Sequence, residues 1–176
     1  MGVSILKSTK DVDVALKEWT FGPRGLLEKY IPGQELSVAL LGDKPLGVLE
    51  LEVKSGFYDY AAKYTDGLTT HHMPARISAE VYDLVMELSL KAAKALGCEG
   101  VSRVDWRYDT NDKDGDGLYI LEVNTQPGMT PLSIVPEIAA YAGMTFIQLL
   151  EWMIENPKCQ QKDVPPVNRS LASPAK

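Results

Sequence analysis

Ser102-Arg103-Val104-Asp105-Trp106 and Tyr119-Ile120-Leu121-Glu122-Val123-Asn124 are the stretches that decide the expected fold, because both have the character of β-strands. Successive side chains of a strand point to opposite faces, so Arg103 and Asp105 share a face, as do Glu122 and Asn124. If the strands pair, four polar groups meet on one face of a sheet. To the opposite, apolar face we assign Val101, Val104, Ile120, Leu121 and Val123.

The polar face has the chemistry of a hard-cation site. Two carboxylates and an amide oxygen, from Asp105, Glu122 and Asn124, suit Mg²⁺, which takes few protein ligands and shares its shell with phosphate and water. A solvated face of a two-stranded ribbon is the alternative reading. The loop that follows, with Pro127 and Gly128, favours a site, because such a loop can hold backbone N–H groups beside an anion.

Composition narrows the class of protein. The 176 residues can form one substantial core, and 18 basic against 24 acidic residues, net −6, argue against a general nucleic-acid binder. Two cysteines, Cys98 and Cys159, have no metal-like spacing, which favours a reducing compartment. No apolar run reaches membrane-spanning length, so we predict no membrane association and a cytoplasmic location.

Turn and capping residues along the chain predict where helices and strands begin and end. Helices are expected after the capping residues Ser8, Ser78 and Thr145, and a short one over 136–141. Three strands are expected at 26–31, 35–41 and 45–53, as a meander, and 54–73 as a long loop that is a candidate lid. We assign residues 1–157 to the domain and 158–176 to a flexible polar tail.

One segment imitates a calcium loop. Asp112-Lys113-Asp114-Gly115-Asp116-Gly117 has the acidic spacing of an EF-hand, but Glu122 is eleventh where the loop needs a glutamate at the twelfth position. Its flanks also read as strands, whereas an EF-hand requires helices. A hairpin loop rich in Asp and Gly explains the segment better.

Longer motifs resemble D-alanine–D-alanine ligases of the ATP-grasp group. The signature is Leu121-Glu122-Val123-Asn124-Thr125-Gln126-Pro127-Gly128-Met129-Thr130 with Arg103-Val104-Asp105 upstream. Residues 57–64 resemble that family's mobile loop, and residues 27–35 its adenine and ribose strand. The resemblance extends from residue 2 to about residue 155. It implies an α+β fold, the C-terminal lobes of the ATP-grasp group, with an antiparallel sheet flanked by helices.

The resemblance also implies a reaction, in which ATP activates one D-alanine as an acyl phosphate and a second D-alanine displaces phosphate. Two Mg²⁺ (or Mn²⁺) ions would be held by Asp105, Glu122 and Asn124. Arg103 and the Gly128 N–H would contact the transferring phosphoryl group and the tetrahedral intermediate. Further implied contacts to phosphate come from the loop residue Lys63, which closure would bring to the site.

Other positions carry binding roles by resemblance alone. The adenine pocket would be lined by Glu28, Lys29, Tyr30 and Ile31, and the ribose would be held by Glu35. The second D-alanine would place its carboxylate at Ser133 and Ile134, with Tyr58 and Tyr64 in the mobile loop favouring D-alanine as the substrate. His71 and His72 match nothing catalytic, so we expect them on the surface of a strand or loop.

The chain departs from the family in lacking its N-terminal half, which carries the first substrate-binding domain. We therefore expect a fragment that begins inside a Gly/Ser-rich phosphate loop, at Gly2-Val3-Ser4, and that is inactive alone. The parent enzyme is expected to be a homodimer. Two alternatives stay open: another ATP-grasp carboxylate–amine ligase, and a non-catalytic nucleotide-binding module.

Overall fold

The structure is a computed structural model that describes residues 3–53, 69–112, 115–130 and 132–157. The expected loop residues 54–68 and the tail 158–176 lie outside the described residues. The elements, in chain order, are α1 (Thr9–Glu18), β1 (Gln34–Leu41), β2 (Lys44–Val53), β3 (Thr69–His72), α2 (Ala79–Ala95), β4 (Val101–Tyr108), β5 (Leu118–Asn124), α3 (Ile134–Tyr141) and α4 (Phe146–Glu155).

The five described strands form one antiparallel sheet in the order β3-β2-β1-β4-β5, which confirms the predicted α+β class. Strand β1 is central, and its side chains are buried on both faces from Leu36 to Leu41. One face packs against α2 through Leu36, Val38, Val104 and Trp106. The other face packs against α3 and α4, so the sheet lies between two helical layers.

Capping explains where the helices begin. Ser78 Oγ accepts a hydrogen bond from the Val81 N–H at 3.3 Å and starts α2, which ends before Gly97 in the left-handed region at φ 70°. Thr145 and Gln148 form the reciprocal box predicted for α4. Each of these signals is local, which is why the predicted helices are confirmed.

Three expectations about strands are corrected. Residues 26–31 form no strand: Leu26 and Leu27 are 83% and 77% exposed, and a β-favouring composition needs a neighbouring strand before it forms one. The predicted loop 54–73 ends in strand β3, which pairs with β2. Val101 was expected on the face opposite Arg103 but lies on the same face, where it packs against the α3 and α4 cluster. Residues two apart on a strand point to the same side of the sheet.

The segment that imitates a calcium loop connects β4 and β5. The Asp109 N–H donates to the Gly117 carbonyl at 2.9 Å, which closes a hairpin between two strands. Strands on both sides exclude the helix-flanked EF-hand. No helix within the described ranges is long and apolar enough to cross a membrane.

Candidate active site

Strand pairing places the predicted polar residues on one face. Arg103 lies opposite Asn124, and Asp105 lies opposite Glu122. Residues directly opposite in an antiparallel pair share a face, so these four side chains are neighbours. A register irregularity after Asp105 shifts the pairing from Trp106 onward, which leaves this group of four at the regular end of the ladder.

Asp105 is held by two other residues. Arg103 Nε lies 2.8 Å from Asp105 Oδ1, and Arg103 Nη2 lies 2.6 Å from Oδ2. Ser37 Oγ donates to Oδ1 at 2.7 Å from the neighbouring strand β1. Ser37 is buried, and sequence reasoning missed it; the signal available was a hydroxyl in the otherwise apolar run Leu36–Leu41.

Glu122 and Asn124 complete an oxygen-rich row. The Glu122 carboxylate is exposed, with Oε1 3.8 Å from Arg103 Nη2. Asn124 Oδ1 accepts a hydrogen bond from the Gln126 N–H at 2.9 Å, which turns the chain at the end of β5. In the described part of the chain no three His, Cys, Asp or Glu side chains cluster as metal ligands, so a cation here depends on Asp105, Glu122 and the Asn124 amide. These are hard oxygen donors on one face, and this donor set fits Mg²⁺.

The loop after β5 brings Gly128 beside the start of α3. A Cβ at Gly128 would lie 3.0 Å from Ser133 Oγ, so a side chain there would crowd Ser133. Ser133 Oγ accepts a hydrogen bond from the Thr130 N–H at 3.1 Å, which fixes the loop against the helix start. Ser133 is the N-cap of α3 and makes no side-chain cap bond, so the first turn presents N–H groups suited to an anion.

The expected nucleotide segment runs beside the same face without regular secondary structure. Glu35 pairs with Arg107 as Ser37 pairs with Asp105, so the Glu35 carboxylate joins the row of polar groups. Arg107, which sequence reasoning missed, donates from Nε to the Ile31 carbonyl at 3.0 Å and from Nη2 to the Gly33 carbonyl at 2.8 Å. Its position, two residues after Asp105 on one strand, was the signal that pointed to this face. Glu28, Lys29 and Tyr30 are exposed neighbours along the same segment.

The residues expected in the mobile loop, Tyr58, Lys63 and Tyr64, lie outside the described residues. The predicted site residues that the fold brings together are Glu35, Arg103, Asp105, Glu122 and Asn124 on one face of the sheet, with Gly128, Ser133 and Ile134 together at the start of α3.

A second charged cluster lies at the β2–β3 edge. Arg76 Nε and Nη2 donate to the two Glu50 oxygens at 2.9 and 2.8 Å. Burial raises the pKa of the Glu50 carboxyl, but hydrogen bonds from Arg76 and Gln34 outweigh it and hold that pKa at about 2. His71 lies in strand β3, as a strand or loop surface residue was expected to, and its Nδ1 is 2.6 Å from Glu137 Oε2 on α3, so the ring is partly covered by that helix.

Comparison with known proteins identifies the family of this chain. The sequence profile of the family described as "D-ala D-ala ligase C-terminus" matches residues 1–155. A "D-alanine--D-alanine ligase" of Xanthobacter autotrophicus is 50% identical over 149 residues, covering 85% of this chain and 49% of the relative. One of Rhodospirillum rubrum is 47% identical over 160 residues, covering 90% and 51%.

Solved structures agree as well. The D-alanine–D-alanine ligase from Bacillus anthracis complexed with ATP has a TM-score of 0.69 at 30% identity, covering 86% of this chain and 48% of that one. The VanG D-Ala:D-Ser ligase from Enterococcus faecalis has a TM-score of 0.60 at 38% identity, covering 72% and 37%. The chain spans about half the length of the curated relatives that it matches. By the match of its family profile over residues 1–155, the chain belongs to the D-alanine–D-alanine ligase C-terminus family.

Proposed function

We propose that this chain is the ATP- and metal-binding C-terminal part of a D-alanine–D-alanine ligase, an enzyme that joins two D-alanines with conversion of ATP to ADP and phosphate. The observation that carries the proposal is the row of Asp105, Glu122 and Asn124 beside Arg103 on one sheet face. Two relatives that are 50% and 47% identical to this chain are named D-alanine–D-alanine ligase. One solved structure of such a ligase is complexed with ATP. Residues 1–157 would form this unit, with 158–176 as a polar tail.

ATP would lie along the face that bears Glu35 and Asp105. Backbone groups of residues 28–31 would read the adenine, and Glu35 would accept hydrogen bonds from ribose hydroxyls. This placement is supported by the contacts that join Ile31, Gly33 and Glu35 to strand β4 through one arginine. Lys63 would contact the phosphates from the loop.

Asp105, Glu122 and Asn124 would hold two Mg²⁺ (or Mn²⁺) ions, which when bound would neutralise the negative charge that develops on the phosphates. The protein's part is to keep the ligands in place. Asp105 is oriented by Arg103 and Ser37 before any ligand arrives, while Glu122 is exposed at 60% and accessible. Preoriented ligands reduce the cost of assembling the site.

Arg103 and the Gly128 N–H would stabilise the anionic charge of the transferring phosphoryl group and of the tetrahedral intermediate. A guanidinium offers a planar fork of donors that suits charge spread over several oxygens. The second D-alanine carboxylate would bind at Ser133 and the Ile134 N–H, with Tyr58 and Tyr64 from the loop. The uncapped first turn of α3 supports an anion at that position.

The activity requires the remainder of a full-length enzyme as a partner, including the domain that binds the first D-alanine, and the enzyme would act as a homodimer. Its product would serve peptidoglycan precursor synthesis in the cytoplasm. The isolated 176 residues would bind nucleotide weakly and make no dipeptide.

Calorimetric titration of this chain with ATP, with and without Mg²⁺, tests the nucleotide site. We expect Mg²⁺ to tighten binding in the wild type and not in Asp105→Asn or Glu122→Gln. Asp116→Asn, in the β4–β5 hairpin, is the matched control and should keep the effect. An ATP affinity of the wild type that is the same with and without Mg²⁺ would favour the non-catalytic nucleotide-binding module.

A fusion of this chain to the N-terminal half of the Xanthobacter autotrophicus relative tests the reaction. We expect phosphate release that depends on D-alanine. The similarity to a D-Ala:D-Ser ligase favours one further candidate, a ligase with a different second substrate. A panel of amino and hydroxy acids separates the two, since D-serine or another acceptor preferred over D-alanine would replace the first proposal.

A further inference from the structure

One arginine outside the expected site makes contacts along the whole end of the nucleotide segment. Arg107 is largely buried, and its three nitrogens contact three different groups. Nε donates to the Ile31 carbonyl at 3.0 Å and Nη2 to the Gly33 carbonyl at 2.8 Å. Nη1 lies 3.3 Å from Glu35 Oε2, so the same guanidinium also holds the carboxylate at the start of β1.

Tyr30 adds a fourth contact. Its ring centroid lies 6.0 Å from Arg107 Cζ, within the range of a cation–π interaction. The Tyr30 ring is otherwise half exposed, so this contact and the neighbouring hydrogen bonds define the side of the segment that faces the sheet. Three residues of the segment, Tyr30, Ile31 and Gly33, and the Glu35 carboxylate are therefore organised around one side chain of β4.

The segment forms no regular secondary structure of its own. Residues 24–32 have no helix or strand, so their conformation must come from contacts with the sheet. Gly33 approaches β4 so closely that a Cβ there would overlap the Tyr108 carbonyl oxygen. Two features therefore hold the segment against β4. The Gly33 backbone lies close to the Tyr108 backbone, and Arg107 bonds Ile31 before it and Glu35 after it.

We propose that Arg107 is a positioning residue that holds residues 30–33 and the Glu35 carboxylate in the shape that receives the nucleoside part of ATP. The inference rests on the proposed function, because it assigns this segment to adenine and ribose. A segment ordered before binding loses less conformational entropy on binding, which strengthens affinity. Arg107 also balances the Glu35 charge on a face that would receive a triphosphate.

The side-chain type matters for this role. The guanidinium places donors in three directions within one plane, so it reaches two carbonyls and a carboxylate together. A lysine has a single charged nitrogen at the end of a flexible stem and would satisfy one or two of them. Methionine would keep much of the apolar stem and lose every polar contact.

The test compares Arg107→Met and Arg107→Lys with wild type in this chain. Hydrogen–deuterium exchange reports the order of residues 29–35, and calorimetry reports affinity for Mg-ATP and for Mg-tripolyphosphate. We expect faster exchange over 29–35 and roughly tenfold weaker Mg-ATP binding in Arg107→Met, the size expected for lost charged hydrogen bonds, and smaller changes of both kinds in Arg107→Lys. Tripolyphosphate affinity should change less than about twofold, because the nucleoside is absent.

Arg76→Met is the matched control for lost stability, since Arg76 also makes a forked pair, with Glu50, but at the β2–β3 edge. It should lower the unfolding temperature without weaker Mg-ATP binding and without faster exchange over 29–33, because the hydrogen bond that joins Arg76 to this region is made by Gln34.

Unchanged exchange over 29–35 in Arg107→Met, or equal weakening for Mg-ATP and Mg-tripolyphosphate, overturns the inference. A wild-type chain that binds no Mg-ATP overturns the proposed function instead, and the exchange measurement then decides alone whether Arg107 orders the segment.

Discussion

Ser37 donates a 2.7 Å hydrogen bond to Asp105 Oδ1, from strand β1 to the adjacent position on β4. The hydroxyl is buried and its acceptor is a carboxylate that we propose as a metal ligand. A buried bond to a charged acceptor orients that acceptor as well as stabilising the fold.

Ser37→Ala should therefore weaken the Mg²⁺ dependence of ATP binding. Loss of a residue that orients a metal ligand reduces metal affinity by roughly tenfold, and loss of the bond costs about 1–2 kcal/mol of stability. Magnesium titration of ATP binding and urea unfolding measure the two effects. Ser102→Ala is the matched control, because Ser102 Oγ is buried and has no hydrogen-bond partner among the described residues.

Ser102→Ala should leave the Mg²⁺ response unchanged and shift stability by less than about 1 kcal/mol, since it removes a polar atom that gains no bond on folding. Equal effects of the two substitutions on the Mg²⁺ response would contradict the orienting role of Ser37.

Glu50 should make stability depend on pH in the acid range. Its folded pKa of about 2 is lower than the ordinary 4.5, so its contribution is fully present above about pH 4.5 and is lost as the pH falls through 2. A pKa shift of this size corresponds to a contribution of about 3 kcal/mol to the free energy of unfolding, and more than half of that contribution is lost by pH 3. Urea unfolding of wild type and Glu50→Gln between pH 7 and pH 3 measures it.

Glu50→Gln should be less stable than wild type at pH 7, and the difference should narrow towards pH 3. Because Glu50 lies under Arg76 at the β2–β3 edge, ATP binding at neutral pH should be unaffected. A constant difference across this pH range would contradict the assignment to the Glu50 carboxyl.

Gly33→Ala should be far more disruptive than Gly22→Ala. Both glycines have a similar positive φ, 98° and 96°, so both alanines meet backbone strain of about 1–2 kcal/mol. Only the Gly33 Cβ would meet the Tyr108 backbone, whereas nothing lies within 4 Å of a Cβ at Gly22. We expect an additional loss of about 1–3 kcal/mol for Gly33→Ala, measured by thermal unfolding. Equal losses would show that the Gly33 segment moves freely away from β4.

Arg103→Lys, in the fusion to the relative's N-terminal half, should lower kcat by roughly 100-fold, the loss typical of removing a donor to transition-state charge. Lysine keeps the charge and loses the fork that contacts Asp105 at 2.6–3.1 Å. Steady-state phosphate release measures kcat and the KM for D-alanine. Lys94→Met, in an exposed pair with Asp43, is the control and should keep wild-type kcat. A kcat for Arg103→Lys within threefold of wild type would contradict the role.

Local chemistry in the sequence was sufficient for the helices and for the candidate ligands. Ser78 and the Thr145–Gln148 box start helices through bonds within a few residues, so no distant contact is needed. Strand alternation likewise put Arg103 with Asp105, and Glu122 with Asn124. The family signature around Glu122 predicted the fold class, which the antiparallel sheet and the similarity to solved ligases confirm.

Tertiary structure decided what depends on partners distant in the chain. Leu26 and Leu27 favour a strand by composition but pair with no strand in the described part of the chain, so the segment stays irregular there. Its end at residues 30–33 is held by Arg107. The bond from Ser37 to Asp105 joins residues 68 positions apart, and those from Arg107 to Ile31 and Gly33 span 76 and 74 positions. Sequence alone determined which residues we propose for the chemistry, because residue type and local spacing can be read directly from the chain. Which groups hold them in place was decided by strand register, because a register brings together side chains that no local pattern connects.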